Sequence, residues 1–211
     1  MATRSAGKLG ELRVWFAAIG VAVESLDDAG IAVSSEEDAL ESGDTFEANA
    51  LAKARWFHAR SGGRVVVADD SGLEVDALDG APGVRSKRWS GRTELAGAAL
   101  DAANNAHVQR LMARAADEGR TTRRARFVCA AACVWERGEC VVRGTTQGVM
   151  VSVARGDGGF GYDPYFLSDD LGVTFAEASR ESKSTVSHRG RAFALLIEQL
   201  GRIGVGGGRV W

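Results

Sequence analysis

The order of local patterns along the chain predicts an α/β fold. Val65 to Ala68 is a short, fully apolar, largely β-branched run, the pattern of a strand buried on both faces. Ahead of it, Gly30 to Leu40 reads as a strand leading into an acidic loop, Glu36 to Asp44. Asp44 and Glu47 then have capping-box spacing at the start of a helix running to about Arg60. Strand, helix, strand in that order suggests a sheet with helices packed on it. Further on, Arg126–Val134 and Glu139–Arg143 form a hairpin through Arg137-Gly138.

The first helix is read from Leu9, Leu12, Phe16 and Ile19 at helical spacing, with Gly20 as the stop. Ser5 or a neighbour caps it. Lys8 falls in its first turn, where a cation opposes the macrodipole unless an anion is bound. In the second helix Phe46, Ala50, Ala54 and Phe57 form the buried face, while Asn49 and Lys53, four apart, share another and can point at one ligand. Thr93 to about Ala116 is a third helix. Ser187 is a good N-cap for a last helix continued by Ala192, Leu195, Leu196 and Leu200, which puts His188 and Arg189 in its first turn. The domain is expected to span residues 1–200, with a glycine-rich tail over 201–211.

Bulk properties narrow the function classes. At 211 residues the chain suits one domain, and 45% apolar with 26% charged residues is ordinary for a globular protein. A net charge of −2 gives no reason to expect a nucleic-acid polymer or an anionic membrane as partner. No apolar run approaches the roughly 20 residues of a membrane span, and the N-terminal residues form no apolar signal segment, so a cytoplasmic protein is expected. Cys129, Cys133 and Cys140 make no metal-binding spacing with one another or with the histidines, and are expected as reduced core thiols.

The chemistry centres on Asp69-Asp70-Ser71-Gly72, where two acids follow the apolar run and Leu73, Val75 and Ala77 begin a second, half-buried strand. One reading is a polar turn whose side chains cap backbone groups. The other is a metal site, because neighbouring acids at the end of a buried strand need cations nearby. Lys8, Lys53 and Lys183 add positive charge, and polyphosphate oxygens are neutralised by lysines and a divalent metal. Gly156 to Phe166, with glycines around Phe160 and Tyr162, offers rings and exposed amides to a planar base. Together these point to a nucleoside triphosphate.

Six motifs carry a resemblance. They are Thr3-x-Ser5-x-x-Lys8, Thr45-Phe46-Glu47-Ala48-Asn49-Ala50-x-x-Lys53-Ala54, Ala68-Asp69-Asp70-Ser71-Gly72-Leu73, Gly80-Ala81-Pro82-Gly83, Gly159-Phe160-Gly161-Tyr162-Asp163-Pro164 and Ser187-His188-Arg189-Gly190-x-Ala192. In this order they resemble the RdgB/inosine-triphosphatase family over about residues 2–200. The resemblance implies Mg²⁺-dependent hydrolysis of inosine, deoxyinosine and xanthosine triphosphates to monophosphate and pyrophosphate. It also implies an elongated mixed sheet flanked by helices, two lobes with the active site in the cleft between them, and a homodimer. By position, Asp70 is the general base and metal ligand, with Lys53 beside it in catalysis. Thr3, Arg4, Ser5, Ala6, Gly7, Lys8, Asn49, Ser71 and Lys183 hold substrate. Phe160, Gly161, Tyr162 and Asp163 line the nucleoside pocket, and His188 and Arg189 read the 6-oxo group.

Three departures stand out. The family usually carries Glu at the position of Ala48, where it contributes to the metal site. Glu47 is no substitute, being about 100° further round the helix, so either Asp69 compensates or metal affinity falls. Ser5 replaces the usual Asn, and only Met1 and Ala2 precede Thr3 where the family has an apolar strand. A second expectation follows from Ala48: a nucleotide-binding homologue with impaired catalysis. The related Maf-type pyrophosphatases, acting on modified pyrimidines, are disfavoured by Ser187-His188-Arg189.

Overall fold

A computed structural model describes residues 1–204; the glycine-rich tail from Val205 onward lies outside the described residues. The helices α1 (Ala6–Ala17), α2 (Phe46–Arg60), α3 (Gly97–Asp117), α4 (Arg180–Val186) and α5 (His188–Arg202) accompany a sheet of four strands. These are β1 (Val66–Val75), β2 (Arg124–Trp135), β3 (Gly138–Met150) and β4 (Phe166–Ser168), in the spatial order β1-β2-β3-β4. The sheet is antiparallel, with β2 and β3 joined as the expected hairpin and Gly148 of β3 facing Ser168 of β4. The α/β class is as predicted. Among the described residues no helix is long and apolar enough to cross a membrane.

Three local expectations are corrected. Asp69-Asp70-Ser71-Gly72 is not a turn: β1 runs straight through it. The acids do not have to leave the sheet because Lys8 and Asn49 meet their carboxylates, and Ser86 Oγ accepts from the Leu73 amide at 2.8 Å. Secondly, Gly30 to Leu40 forms no strand. The Ile31 and Ala32 carbonyls, which a ladder would need, accept from the Arg4 guanidinium, and Ser35–Glu41 winds into a 3₁₀ helix. Thirdly, the cap of α2 is one residue later than expected. Thr45 Oγ1 accepts from the Ala48 amide at 3.1 Å, which leaves Glu47 to pair with Arg143 at 3.0 Å. Helix α1 ends at Ala17, so Ile19 falls beyond it and is exposed.

The chain divides into two compact units. Among the described residues one comprises residues 1–70, 129–144 and those from 192 onward, the other residues 71–128 and 145–191. In the first, Leu12 and Phe16 of α1 pack with Cys129 and Cys133 of β2 and with Phe193 and Leu196 of α5. All three cysteines are buried free thiols, and burial pushes Cys133 up to about 12. The core of the second unit joins Leu73 and Val75 of β1 to Val108 and Met112 of α3 and to Phe127, Phe166 and Phe175. Phe127 and Phe175 lie parallel, with centroids 5.7 Å apart.

The closeness of β3 to β4 depends on Gly148, where a Cβ would collide with the Leu167 carbonyl oxygen and the Phe166 ring. Both obstacles are fixed, one by the backbone and one by a fully buried side chain. Gly148→Ala is therefore expected to destabilise the protein by about 1–3 kcal/mol, the usual scale of overpacking, as read by urea denaturation.

Candidate active site

In the first unit the polar features form around the two acids of β1. Asp69 is 1% and Asp70 7% exposed, so neither charge is compensated by bulk water. Lys8, one turn into α1, reaches Asp69 Oδ2 at 3.0 Å. The start of α1 is set by Ser5, whose hydroxyl accepts from the Lys8 amide. Lys53 of α2 donates to the Asp69 carbonyl at 2.8 Å and pairs with Glu41 at the end of the 3₁₀ helix. Burial acts to lower the Lys53 pKa, but Glu41 and Asp69 outweigh it, and the net shift is upward. That ammonium stays charged.

Asn49 is fully buried, and its amide is used at both ends. Its Nδ2 donates to Asp70 Oδ2 at 2.8 Å and its Oδ1 accepts from the Gly43 amide at 2.8 Å. Asn49 therefore orients Asp70. Asp70 is pushed up to about 6, first by burial and, against the Asn49 hydrogen bond, by the nearby charge of Glu41. A carboxyl in that range is ionised at neutral pH yet basic enough to take a proton.

Glu41 is the residue that sequence reasoning missed. It lay within the acidic loop, and the only signal was the acid run itself. Asp69 pairs with Lys8, Glu47 with Arg143 and Glu41 with Lys53, and of these the Glu41 charge raises the Asp70 pKa. Among the described residues no cluster of three or more side chains forms a ready metal cage. Two oxygen donors suit Mg²⁺, which keeps waters and takes phosphate oxygens for its remaining positions. Asp70 and Glu41 are the residues of this unit that fit such an ion. The Arg4 side chain is directed to Asp27, Glu37 and the Ile31 and Ala32 carbonyls.

The second unit carries the aromatic loop and the start of α5. Phe160 is 60% exposed, while Tyr162 is buried and donates its hydroxyl to the Ser86 carbonyl at 2.8 Å. Of the two rings, only Phe160 presents a face to a ligand. Gly161 is held on both sides by α3: Asp101 Oδ2 accepts from its amide and Asn105 Nδ2 donates to its carbonyl, each at 2.8 Å. Asp163 is buried, accepts from the Phe160 amide at 2.8 Å and pairs with Lys183. The Lys183 ammonium lies 5.0 Å from the Phe160 centroid and 5.1 Å from that of Phe175. Ser71 belongs to this unit, half-buried in β1.

Ser187 caps α5 as expected, its hydroxyl accepting from the Gly190 amide at 3.0 Å. Gly190 has no alternative residue here, because a Cβ would collide with the Ser184 carbonyl. His188 and Arg189 are both buried, and the His188 ring stacks on Phe127 with centroids 4.8 Å apart and planes 14° apart. An imidazole clamped in that way is a directional donor or acceptor, unlike a mobile surface histidine.

Because Asp70 ionises near 3.8 when unfolded and near 6 when folded, the folded state binds more protons between those values. Stability from this group is present at low pH and is lost as pH rises through that window. In metal-free buffer, Asp70→Asn is expected to be more stable than the parent at pH 7 by about 1–3 kcal/mol, with the gain vanishing towards pH 4. Paired urea titrations at both pH values check this.

Comparison with known proteins identifies the family. The profile of the Ham1 family matches residues 1–199. A dITP/XTP pyrophosphatase of Mycolicibacterium paratuberculosis is 50% identical over 204 residues, covering 95% of this chain and 94% of that protein. One from Exiguobacterium sibiricum is 45% identical, covering 93% of each. Among solved structures, a HAM1 protein of Coxiella burnetii superposes with a TM-score of 0.81 at 30% identity, covering 95% of this chain and 96% of its own. A nucleoside-triphosphatase/dITP/XTP pyrophosphatase of Mycobacterium abscessus gives 0.69 at 42% identity, covering 94% and 96%. On that profile and those relatives, the chain belongs to the Ham1 family.

Proposed function

We propose that this protein hydrolyses inosine, deoxyinosine and xanthosine triphosphates to the monophosphate and pyrophosphate, removing them from the nucleotide pool. The observation that carries the reading is Asp70: a buried carboxylate, oriented by Asn49 and raised towards neutrality, between two lysine-bearing helices. The relatives named dITP/XTP pyrophosphatase support the substrate class.

In this mechanism Asp70 orients a water and takes its proton as the oxygen attacks the α-phosphorus. The bond from that phosphorus to the bridging oxygen breaks, and pyrophosphate leaves with the electron pair. Lys8 and Lys53 stabilise the charge that collects on it. Asp70 and Glu41 would hold a Mg²⁺, which when bound would supply further positive charge to the phosphate oxygens. Phe160 stacks on the purine, and Lys183 adds a phosphate contact. His188 and Arg189 face the 6-oxo group, so a 6-amino purine leaves buried donors unpaired, a penalty that can reach about 10⁴-fold. A homodimer, expected from the family resemblance, and a cytoplasmic location belong to the same proposal.

The impaired-homologue reading was motivated by Ala48 and the short N-terminus, and the relatives named dITP/XTP pyrophosphatase lend it no support. Pyrophosphate release from deoxyinosine triphosphate with Mg²⁺ is expected to exceed that from ATP and GTP greatly. Asp70→Asn should lower it by about 10²–10⁴-fold, whereas Ala48→Glu should leave kcat/KM unchanged. A panel assay that measures pyrophosphate separately from phosphate decides all three points. Release of phosphate alone, or full activity in Asp70→Asn, sinks the assignment.

A further inference from the structure

A segment with no buried residue has to be held by something other than packing. The 3₁₀ helix Ser35–Glu41 is such a segment, and it carries the carboxylate assigned above to the metal. Its fastenings are ionic and polar. Glu36 accepts from Trp56 Nε1 at 3.2 Å and pairs with Arg60 at 2.7 Å, and the Arg60 guanidinium lies 3.4 Å from the Trp56 ring centroid. Glu41 pairs with Lys53 at the other end. Glu37 closes a capping box with Ser34 and receives the fork of Arg4, Nε to Oε2 at 3.3 Å and Nη2 to Oε1 at 2.8 Å.

Arg4 does more than meet Glu37. Its Nη1 donates to Asp27 Oδ1 at 2.9 Å and to the Ile31 carbonyl at 3.1 Å, and its Nη2 donates to the Ala32 carbonyl at 3.1 Å. A guanidinium has five N–H donors in a planar fork, and five acceptors meet them here. Arg4 also lies between Thr3 and Ser5, in the loop expected to hold phosphates. The side chain joins that loop to the stretch leading into Glu41.

We propose that Arg4 is a positioning residue: through Glu37 and the Ile31 and Ala32 carbonyls it fixes the 3₁₀ helix, and with it the place of the Glu41 carboxylate beside Lys53. The inference rests on Glu41 serving as a metal ligand, and its test separates the two. In metal-free protein, amide hydrogen exchange across residues 35–41 should accelerate about tenfold or more in Arg4→Met, the scale of one charge-assisted hydrogen bond. Mn²⁺ titration should show affinity weakened by a similar factor in Arg4→Met and in Glu41→Gln. Arg55→Met, which removes an exposed ion pair with Glu139 elsewhere in the same unit, should leave both readouts at parental values.

Unaltered exchange in Arg4→Met overturns the proposal. So does Mn²⁺ binding that weakens in Glu41→Gln but not in Arg4→Met. Mn²⁺ binding that is unchanged in Glu41→Gln overturns the ligand reading instead, a failure recognisable because exchange in Arg4→Met is accelerated all the same. Should Arg4→Met fail to fold, Glu37→Gln keeps the acceptor for the Ser34 amide, loses the charge facing Arg4 and is read in the same way.

Discussion

A carboxylate removed from water has to be stabilised by its surroundings or lose its charge, and Asp70 imposes that demand on everything near it. The residue sits inside a strand, almost without exposure. Stabilisation comes from three directions: an amide oriented by Gly43, a lysine from α1 that takes the neighbouring acid, and a lysine from α2 that takes the neighbouring carbonyl. The balance is deliberately incomplete in physical terms, since burial still prevails and the group remains a usable base. Full compensation would leave a carboxylate too acidic to accept a proton.

The second unit solves a different problem, that of presenting an apolar face without letting it collapse inward. Tyr162 and Asp163 are drawn into the core and tied by hydrogen bonds, while Phe160 between glycines is left outside. Asp101 and Asn105 grip the backbone of Gly161. Loop geometry is thus set by helix α3 and by buried polar atoms, and the exposed ring adds no conformational requirement of its own. The stacking of His188 on Phe127 follows the same logic, using the core to aim a polar group.

What could be read from the sequence divides along physical lines. Helices α2 and α5 were legible because apolar residues recur at helical spacing and a hydroxyl precedes each, although Thr45 rather than Asp44 is the cap. The hairpin was legible from its apolar run and the Arg137-Gly138 connection. Asp69 to Gly72 misled because acids and glycine are turn residues unless something distant neutralises them, and Lys8 lies 61 positions away. Glu41 was invisible for a related reason: a 3₁₀ helix held by ions has no apolar period to announce it. Local partners, such as the Ser187 cap, could be read from sequence; the distant partners of Arg4 and Asn49 could not.

The cysteines have a use unrelated to catalysis. Cys133 is inaccessible as well as reluctant to form the thiolate, since burial holds its pKa near 12. Thiol reagents attack the thiolate, so the folded protein offers them almost nothing at that position. Labelling must then wait for strands β2 and β3 to part. The rate at which a thiol reagent consumes Cys133 reports the opening of the first unit's core, with no probe engineered into the chain.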